Sequence, residues 1–224
     1  MNTSHPSRVL DIPSRPRIPG ARTLAALLCS LVLTSCSFMK PVASTSHYYV
    51  LTPDATTSGE SGSLAVGLGQ VKLPAYLFNT SLAIRRGTNE VDYLESAIWA
   101  ERPDAGVQRV LAADLAAVLP TDQLRTPAWQ KNDVALEVYV AIDQFDVDAA
   151  GRGVLVAQWR ILSPGGERIL KSGISRLSRP GPSPDTNISG AVATLSDLLA
   201  DLSRQLAQAL KETPVPVRNS PSHP

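Results

Sequence analysis

Apolar and polar positions divide the chain into one short, mainly apolar run, several stretches of period two, and two stretches that repeat every three to four residues. That run opens at Ala21 and ends at Leu33. It is too short to span a bilayer, which needs about 20 apolar residues, and polar Thr34 and Ser35 close it. His47 to Leu51 (HYYVL) is aromatic and β-branched and ends at Thr52-Pro53-Asp54, so it reads as a first strand. Asp54 to Ser63 is a Ser/Thr/Gly-rich loop; Leu64, Val66 and Leu68 then alternate with Ala65, Gly67 and Gly69 and continue through Val71 and Leu73 to Pro74 as a second strand. Gly67 and Gly69 read as close packing or a bulge, because no G-x-G-x-x-G phosphate cradle follows. Ser81 to Arg86 and Glu90 to Leu94 flank Gly87-Thr88-Asn89, a hairpin signature.

Val107, Val110, Leu111, Leu115 and Val118 recur at helical spacing, with Asp104 placed to cap the start and Pro120 the stop. The clearest alternation is Val134 to Asp143, where Val134, Leu136, Val138, Val140 and Ile142 form one face and Glu137, Tyr139 and Asp143 lie on the other. A turn at Ala149 to Gly153, a strand Val154 to Leu162, a Pro164-Gly165-Gly166 turn and a strand Arg168 to Leu177 extend this into an antiparallel meander. A second helix follows at about Thr186 to Leu210, its stripe made by Ile188, Val192, Leu195, Leu199, Leu202 and Leu206. The order β-β-ββ-α-βββ-α predicts an α/β fold: a single domain with one mostly antiparallel or mixed β-sheet and two amphipathic helices packed on it.

The ends change that picture. Arg8, Arg15, Arg17 and Arg22 give the apolar run a basic flank, as in a secretory signal. The run ends in L-T-S-C (Leu33 to Cys36), which resembles the bacterial lipobox. The expected processing is cleavage after Ser35, with covalent diacylglyceryl and palmitoyl lipid on Cys36, whose thiolate is the soft nucleophile such transfer needs. Other readings are an ordinary secretory signal with an incidental cysteine, or an N-terminal anchor helix. Ser37, rather than Asp, after the cysteine resembles an outer-membrane sorting signal. The chain thus divides into a lipoprotein signal peptide (1–35), a flexible tether from Cys36 (36–46), a folded domain (47–211) and a Pro-rich disordered tail (212–224).

Removal of 35 residues leaves 189 of the 224, enough for one domain with its own core. The signal takes four arginines and one aspartate, leaving 17 Lys+Arg against 19 Asp+Glu, too little positive charge for nucleic acid. Cys29 goes with the signal and Cys36 carries lipid, which excludes disulfide and thiol chemistry in the domain; His47 and His223, alone and far apart, speak against zinc. Asp143, Asp146 and Asp148 are the only dense carboxylates, and lacking calcium-loop spacing they read as a solvated strand end and hairpin. Ser172-Gly173-Ile174-Ser175 is not a nucleophile elbow, and no histidine is placed to serve as base, so serine hydrolysis drops out. Trp99, Trp129, Trp159, Tyr48, Tyr49, Tyr76 and Tyr139 read mostly as core or sheet-face packing, with some free to form a partner surface. Arg85 and Arg86 read as a solvated hairpin end, with lipid headgroups as the other possibility; the last helix, bearing Asp197, Asp201 and Glu212, lacks the basic face of a membrane-lying helix.

Taken in order, the lipobox, H-Y-Y-V-L, V-G-L-G-Q-V-K-L-P-A-Y-L (Val66 to Leu77), W-A-E (Trp99 to Glu101), R-V-L-A-A-D-L-A-A-V-L-P (Arg109 to Pro120), Phe145-Asp146 and L-V-A-Q-W-R-I (Leu155 to Ile161) resemble the PqiC (YmbA)-type lipoproteins over about His47 to Leu210. Phe78-Asn79-Thr80 departs from that pattern, where relatives carry a charged residue and proline. The resemblance implies no catalysis and no cofactor beyond the lipid. It implies an outer-membrane lipoprotein facing the periplasm that docks an MCE-domain protein and, through it, an inner-membrane permease. Such a system moves lipid or other hydrophobic compounds between membranes and supports envelope integrity. A homo-oligomer is compatible with it, and a lipoprotein that itself binds and shuttles lipid is the alternative.

Overall fold

The computed structural model describes residues 45–54, 64–119, 123–130 and 133–215. Ten elements follow one another: β1 (His47–Tyr49), β2 (Val66–Leu68), β3 (Ser81–Gly87), β4 (Glu90–Trp99), α1 (Pro103–Val118), β5 (Leu124–Arg125), β6 (Leu136–Asp148), β7 (Gly153–Leu162), β8 (Ile169–Arg179) and α2 (Ile188–Lys211), with a 3-10 turn at Ala75–Phe78 and another at Pro164–Gly166. The eight strands form one mixed sheet, and the two helices make this the expected α/β fold.

β6 is its axis. Along one edge β7 and then β8 pair antiparallel with it. Its other edge is shared between two strands. β2 runs parallel to the first part (Val66 opposite Leu136), with β5 beyond it. β3 runs parallel to the last part (Ile84 opposite Val147), followed by β4 and β1. Between them a lone bridge joins Lys72 to Ala141. The hairpin around Gly87-Thr88-Asn89 forms where its turn residues place it.

Both helices contribute to a single core. α2 buries Leu195, Leu198, Leu199, Leu202 and Leu206, packing on β7, β8, β6 and α1, and α1 buries Val107, Val110, Leu111 and Leu115. Leu136, Val138, Val140 and Ile142 of β6 join the same apolar cluster, as do Leu155, Ala157 and Ile161 of β7. The segment after β1 is strapped to the helices: the Thr52 N–H donates to Ser196 Oγ (3.1 Å) and the Asp54 N–H to Asp114 Oδ1 (2.7 Å). The enclosed space left near Leu77, Leu82, Val107 and Phe145 is about 20 Å³, room for about one water molecule.

Three local expectations change. β6 does not end at Asp143 but runs to Asp148, because a bulge between Ile142 and Gln144 moves Asp143 out of the pairing. Core-facing positions then shift from even to odd numbers, and Phe145 and Val147 are buried. α1 starts at Pro103, with Arg102 ahead of it and no side-chain cap; Asp104 sits in the first turn, paired to Arg102 (2.8 Å). Proline's fixed φ favours that first helical position. The second strand is only Val66–Leu68, and β5 was not anticipated. At the other end α2 is capped by Asn187, whose Oδ1 accepts from the Gly190 N–H (2.9 Å). Of the residues assigned to the tail, Glu212 pairs with Lys171 (2.6 Å) and Thr213 is buried, its hydroxyl donating to the Ala209 carbonyl (2.7 Å).

Candidate functional site

Helices cover one face of the sheet, and on the other the polar half of each alternation is presented. Gly67 and Gly69 are what allow large rings to lie flat on it. A Cβ on Gly67 would stand 2.7 Å from Trp129 Cε2, and one on Gly69 2.6 Å from the Tyr139 ring. The glycines therefore serve close packing. Ala128 has a φ of 104°, a left-handed conformation that costs a non-glycine residue about 1–3 kcal/mol, immediately before Trp129.

Between the rings lies Glu137, 3% exposed, which accepts from the Gly165 N–H (2.7 Å), the Tyr139 hydroxyl (3.0 Å) and the Trp129 indole N–H (3.4 Å). Burial, reinforced by the hydrogen bond to this carboxylate, pushes the Tyr139 hydroxyl pKa above its ordinary value. Beside this cluster a groove of about 800 Å³ crosses the sheet, with Lys72, Tyr139, Gln158, Arg160, Ser172 and Ile174 among its lining residues. At Gln70 and Tyr139 it meets a second hollow of about 400 Å³ that reaches Trp129. Among the described residues Lys72 and Arg160 make no ion pair, and Ile174 is 54% exposed. Gln158 is engaged, donating to Asp143 Oδ2 (2.9 Å).

Further along the same face the three expected carboxylates separate. Asp143 is exposed at the bulge, and Asp148 accepts from the Arg152 N–H (2.8 Å) across the turn. Asp146 is not solvated but 1% exposed, correcting the reading of this stretch as a solvated strand end. Arg85, expected at a solvated hairpin end, instead pairs with it through Nη2 (2.7 Å) and Nε (3.1 Å). The Tyr76 hydroxyl donates to Asp146 Oδ2 (2.8 Å), and Gln144 Nε2 donates to Oδ1 (2.9 Å). Burial, together with the adjacent carboxylate, pushes the Tyr76 pKa up to about 12. The bulge explains the misreading: it keeps Asp146 on the face that Tyr76 and Arg85 cover. Arg86 pairs outside with Asp185 (3.0 Å).

The remaining candidates scatter. Ser172 lines the groove, whereas Ser175 is buried and accepts from the Trp159 indole N–H (3.1 Å). Trp99, Trp159 and Tyr49 pack against the core, while Tyr48 is 70% exposed. Asp197 and Asp201 on α2 are held by Arg179 (3.2 and 3.0 Å), and Arg204 also reaches Asp201 (2.7 Å). No group of three metal-ligating side chains occurs among the described residues, and no described helix is long and apolar enough to cross a membrane. Cys36 and the signal lie outside the described residues. Lys72 and Arg160 were not singled out from sequence; the one available signal was their position as the cationic members of otherwise apolar stretches, V-K-L and W-R-I.

Comparison with known proteins adds a family and a fold. The family described as ABC-type transport auxiliary lipoprotein component matches residues 49–207. None of the curated proteins matches. Among solved structures, protein XCC0632 from Xanthomonas campestris, of family DUF330, superposes with a TM-score of 0.62 at 14% identity, covering 74% of this chain and 94% of that one. An uncharacterised protein superposes at 0.60 and 17% identity, covering 74% and 98% respectively. At such identities the likeness is one of fold.

Proposed function

The chain belongs to the ABC-type transport auxiliary lipoprotein component family, and from that premise we propose that it is a non-catalytic envelope adaptor. On this reading cleavage after Ser35 leaves Cys36 as the lipidated first residue, and residues 36–46 tether the domain to the outer membrane, facing the periplasm. The domain docks an MCE-domain protein and, through it, an inner-membrane permease, so that lipid or another hydrophobic compound passes between the membranes. The observation that carries the reading is the family match, which spans nearly the whole folded domain, β1 to the last turns of α2. The groove, with its aromatic floor and two unpaired cations, supplies a surface on which a partner can be held. Direct shuttling of lipid draws no support from the space of about 20 Å³ among the described core residues near Leu77, Leu82, Val107 and Phe145, against roughly 300–1,000 Å³ for a pocket that engulfs a small ligand.

Affinity purification of the tagged, lipidated full chain from its native cells in mild detergent, with mass spectrometry of the eluate, tests this. The expected result is co-elution of an MCE-domain protein. A lone chain carrying bound lipid overturns the adaptor in favour of the shuttle.

A further inference from the structure

We propose that the groove on the helix-free face receives an extended, acidic segment of the partner protein, whose carboxylates pair with Lys72 and Arg160. The proposal rests on the docking reading above and assigns it a surface. Its first support is charge. Glu137 and Asp143 lie outside the groove's lining, hydrogen-bonded to neutral donors, Glu137 to three and Asp143 to Gln158. Lys72 and Arg160 make no ion pair among the described residues, and neither does Arg176 of β8, which stands opposite Val156. The lining of the groove thus carries two cations and no carboxylate, the arrangement that steers and orients an acidic partner.

Shape and chemistry point to polypeptide. Running from the Lys72 bridge across β6 and β7 to Ile174 on β8, the groove crosses four chains about 4.8 Å apart, or about 14 Å, the length of four to five extended residues. Its walls alternate charge, amide and hydroxyl (Lys72, Gln70, Gln158, Ser172) with a single exposed aliphatic side chain, Ile174. Such walls can hydrogen-bond a main chain and pair its carboxylates, but offer no enclosed apolar volume for an acyl chain. Tyr139 and Trp159 line the groove and Trp129 the hollow that adjoins it, aromatic surface of the kind on which interface contacts concentrate. Beyond Ile174 lies the free edge of β8, which among the described residues pairs only with β7 and runs for 11 residues. A segment leaving the groove on that side meets unpaired backbone groups to which a strand can add.

The test places the photo-crosslinking residue benzoylphenylalanine at position 172, in the full lipidated chain in native cells. Irradiation is followed by mass spectrometry of the crosslinked peptide. The expected product joins position 172 to a segment of a second protein with Asp or Glu within a few residues of the link. Its yield falls about tenfold or more in Lys72→Glu/Arg160→Glu, since like charges then face each other. It persists in the charge-retaining Lys72→Arg/Arg160→Lys and in the control Lys211→Glu on α2. Lys72 and Arg160 are exposed and make no ion pair among the described residues, so all variants should melt with the wild type. Crosslinking to phospholipid, to a second copy of this chain, or with a yield indifferent to charge reversal overturns the groove assignment. The two ideas fail separately. Recovery of an MCE-domain protein by affinity purification that the reversal leaves intact rejects the groove and keeps the adaptor. A charge-dependent crosslink to an acidic segment of some other protein keeps the groove and rejects the MCE partner.

Discussion

Asp146 can be buried because both its oxygens are met: Oδ2 by Arg85 and Tyr76, Oδ1 by Arg85 and Gln144. A two-pronged guanidinium–carboxylate contact is among the stronger polar pairings, and losing one member leaves the other charge stranded. Tyr76 also accepts from the Phe145 N–H (3.2 Å), tying the 3-10 turn to β6. Tyr76→Phe removes both hydrogen bonds without altering shape and should cost about 1–3 kcal/mol in urea unfolding at pH 7. The pH dependence follows from its raised pKa, about 12 in the fold against an ordinary 10.0. The protonated phenol is the form the fold favours, so its contribution is complete below about pH 10 and is lost as pH rises to about 12. The gap between wild type and Tyr76→Phe should narrow over that interval. A gap that stays constant would falsify the assignment.

At the scale of the element, the bulge in β6 decides what the strand can do. Upstream of it even-numbered residues face the helices; downstream Phe145 and Val147 do. Deleting Asp143 alone should only remove the bulge, since Gln144 and Phe145 keep their partners Val156 and Leu155, whereas deleting Asp143 and Gln144 together should turn every later side chain of β6 to the opposite face, directing Asp146 into the core and Phe145 out of it. The expected loss exceeds about 3 kcal/mol, by cavity formation and a stranded buried charge. Asp143→Ala keeps the residue count, removes one exposed hydrogen bond, and should fall within about 0.5 kcal/mol. Equal stability of the double deletion and Asp143→Ala in chemical denaturation would show that the residue count across the bulge does not set the register. The same feature marks how far sequence could be read. The hairpin at Gly87, the meander from Val154 and the stripe of α2 were legible because each is a long, regular period or carries its own turn residues. β6 was truncated in that reading because one extra residue breaks a period of two, and β5 is too short to leave any pattern. The groove was illegible for a different reason: residues 72, 139, 160 and 172 belong to four separate stretches, and only the sheet brings them together. The glycine pair was legible as close packing, but not the rings that fill it.

At the scale of the whole molecule, the proposal separates attachment from recognition. Lipid on Cys36 would fix position, while the sheet face would choose the partner. An 11-residue segment such as 36–46 reaches at most about 40 Å, whatever its conformation, so an anchored domain can meet only a partner that approaches the membrane. A single acyl chain holds a protein to a bilayer weakly, whereas two or more hold it firmly, which is why a diacylglyceryl cysteine with a further acyl chain suffices without a membrane-spanning helix. Because Cys36 precedes the folded domain, Cys36→Ala should leave its melting temperature unchanged and abolish incorporation of an alkyne-tagged palmitate. Cells carrying it should be as sensitive to detergent as cells lacking the protein. The same domain exported with a cleavable, non-lipid signal should still bind its partner in solution while failing to restore that resistance, since binding would remain and placement at the membrane would be lost. Full restoration by the soluble form would mean that the domain works without an anchor, and the adaptor would have to be replaced by a diffusing carrier.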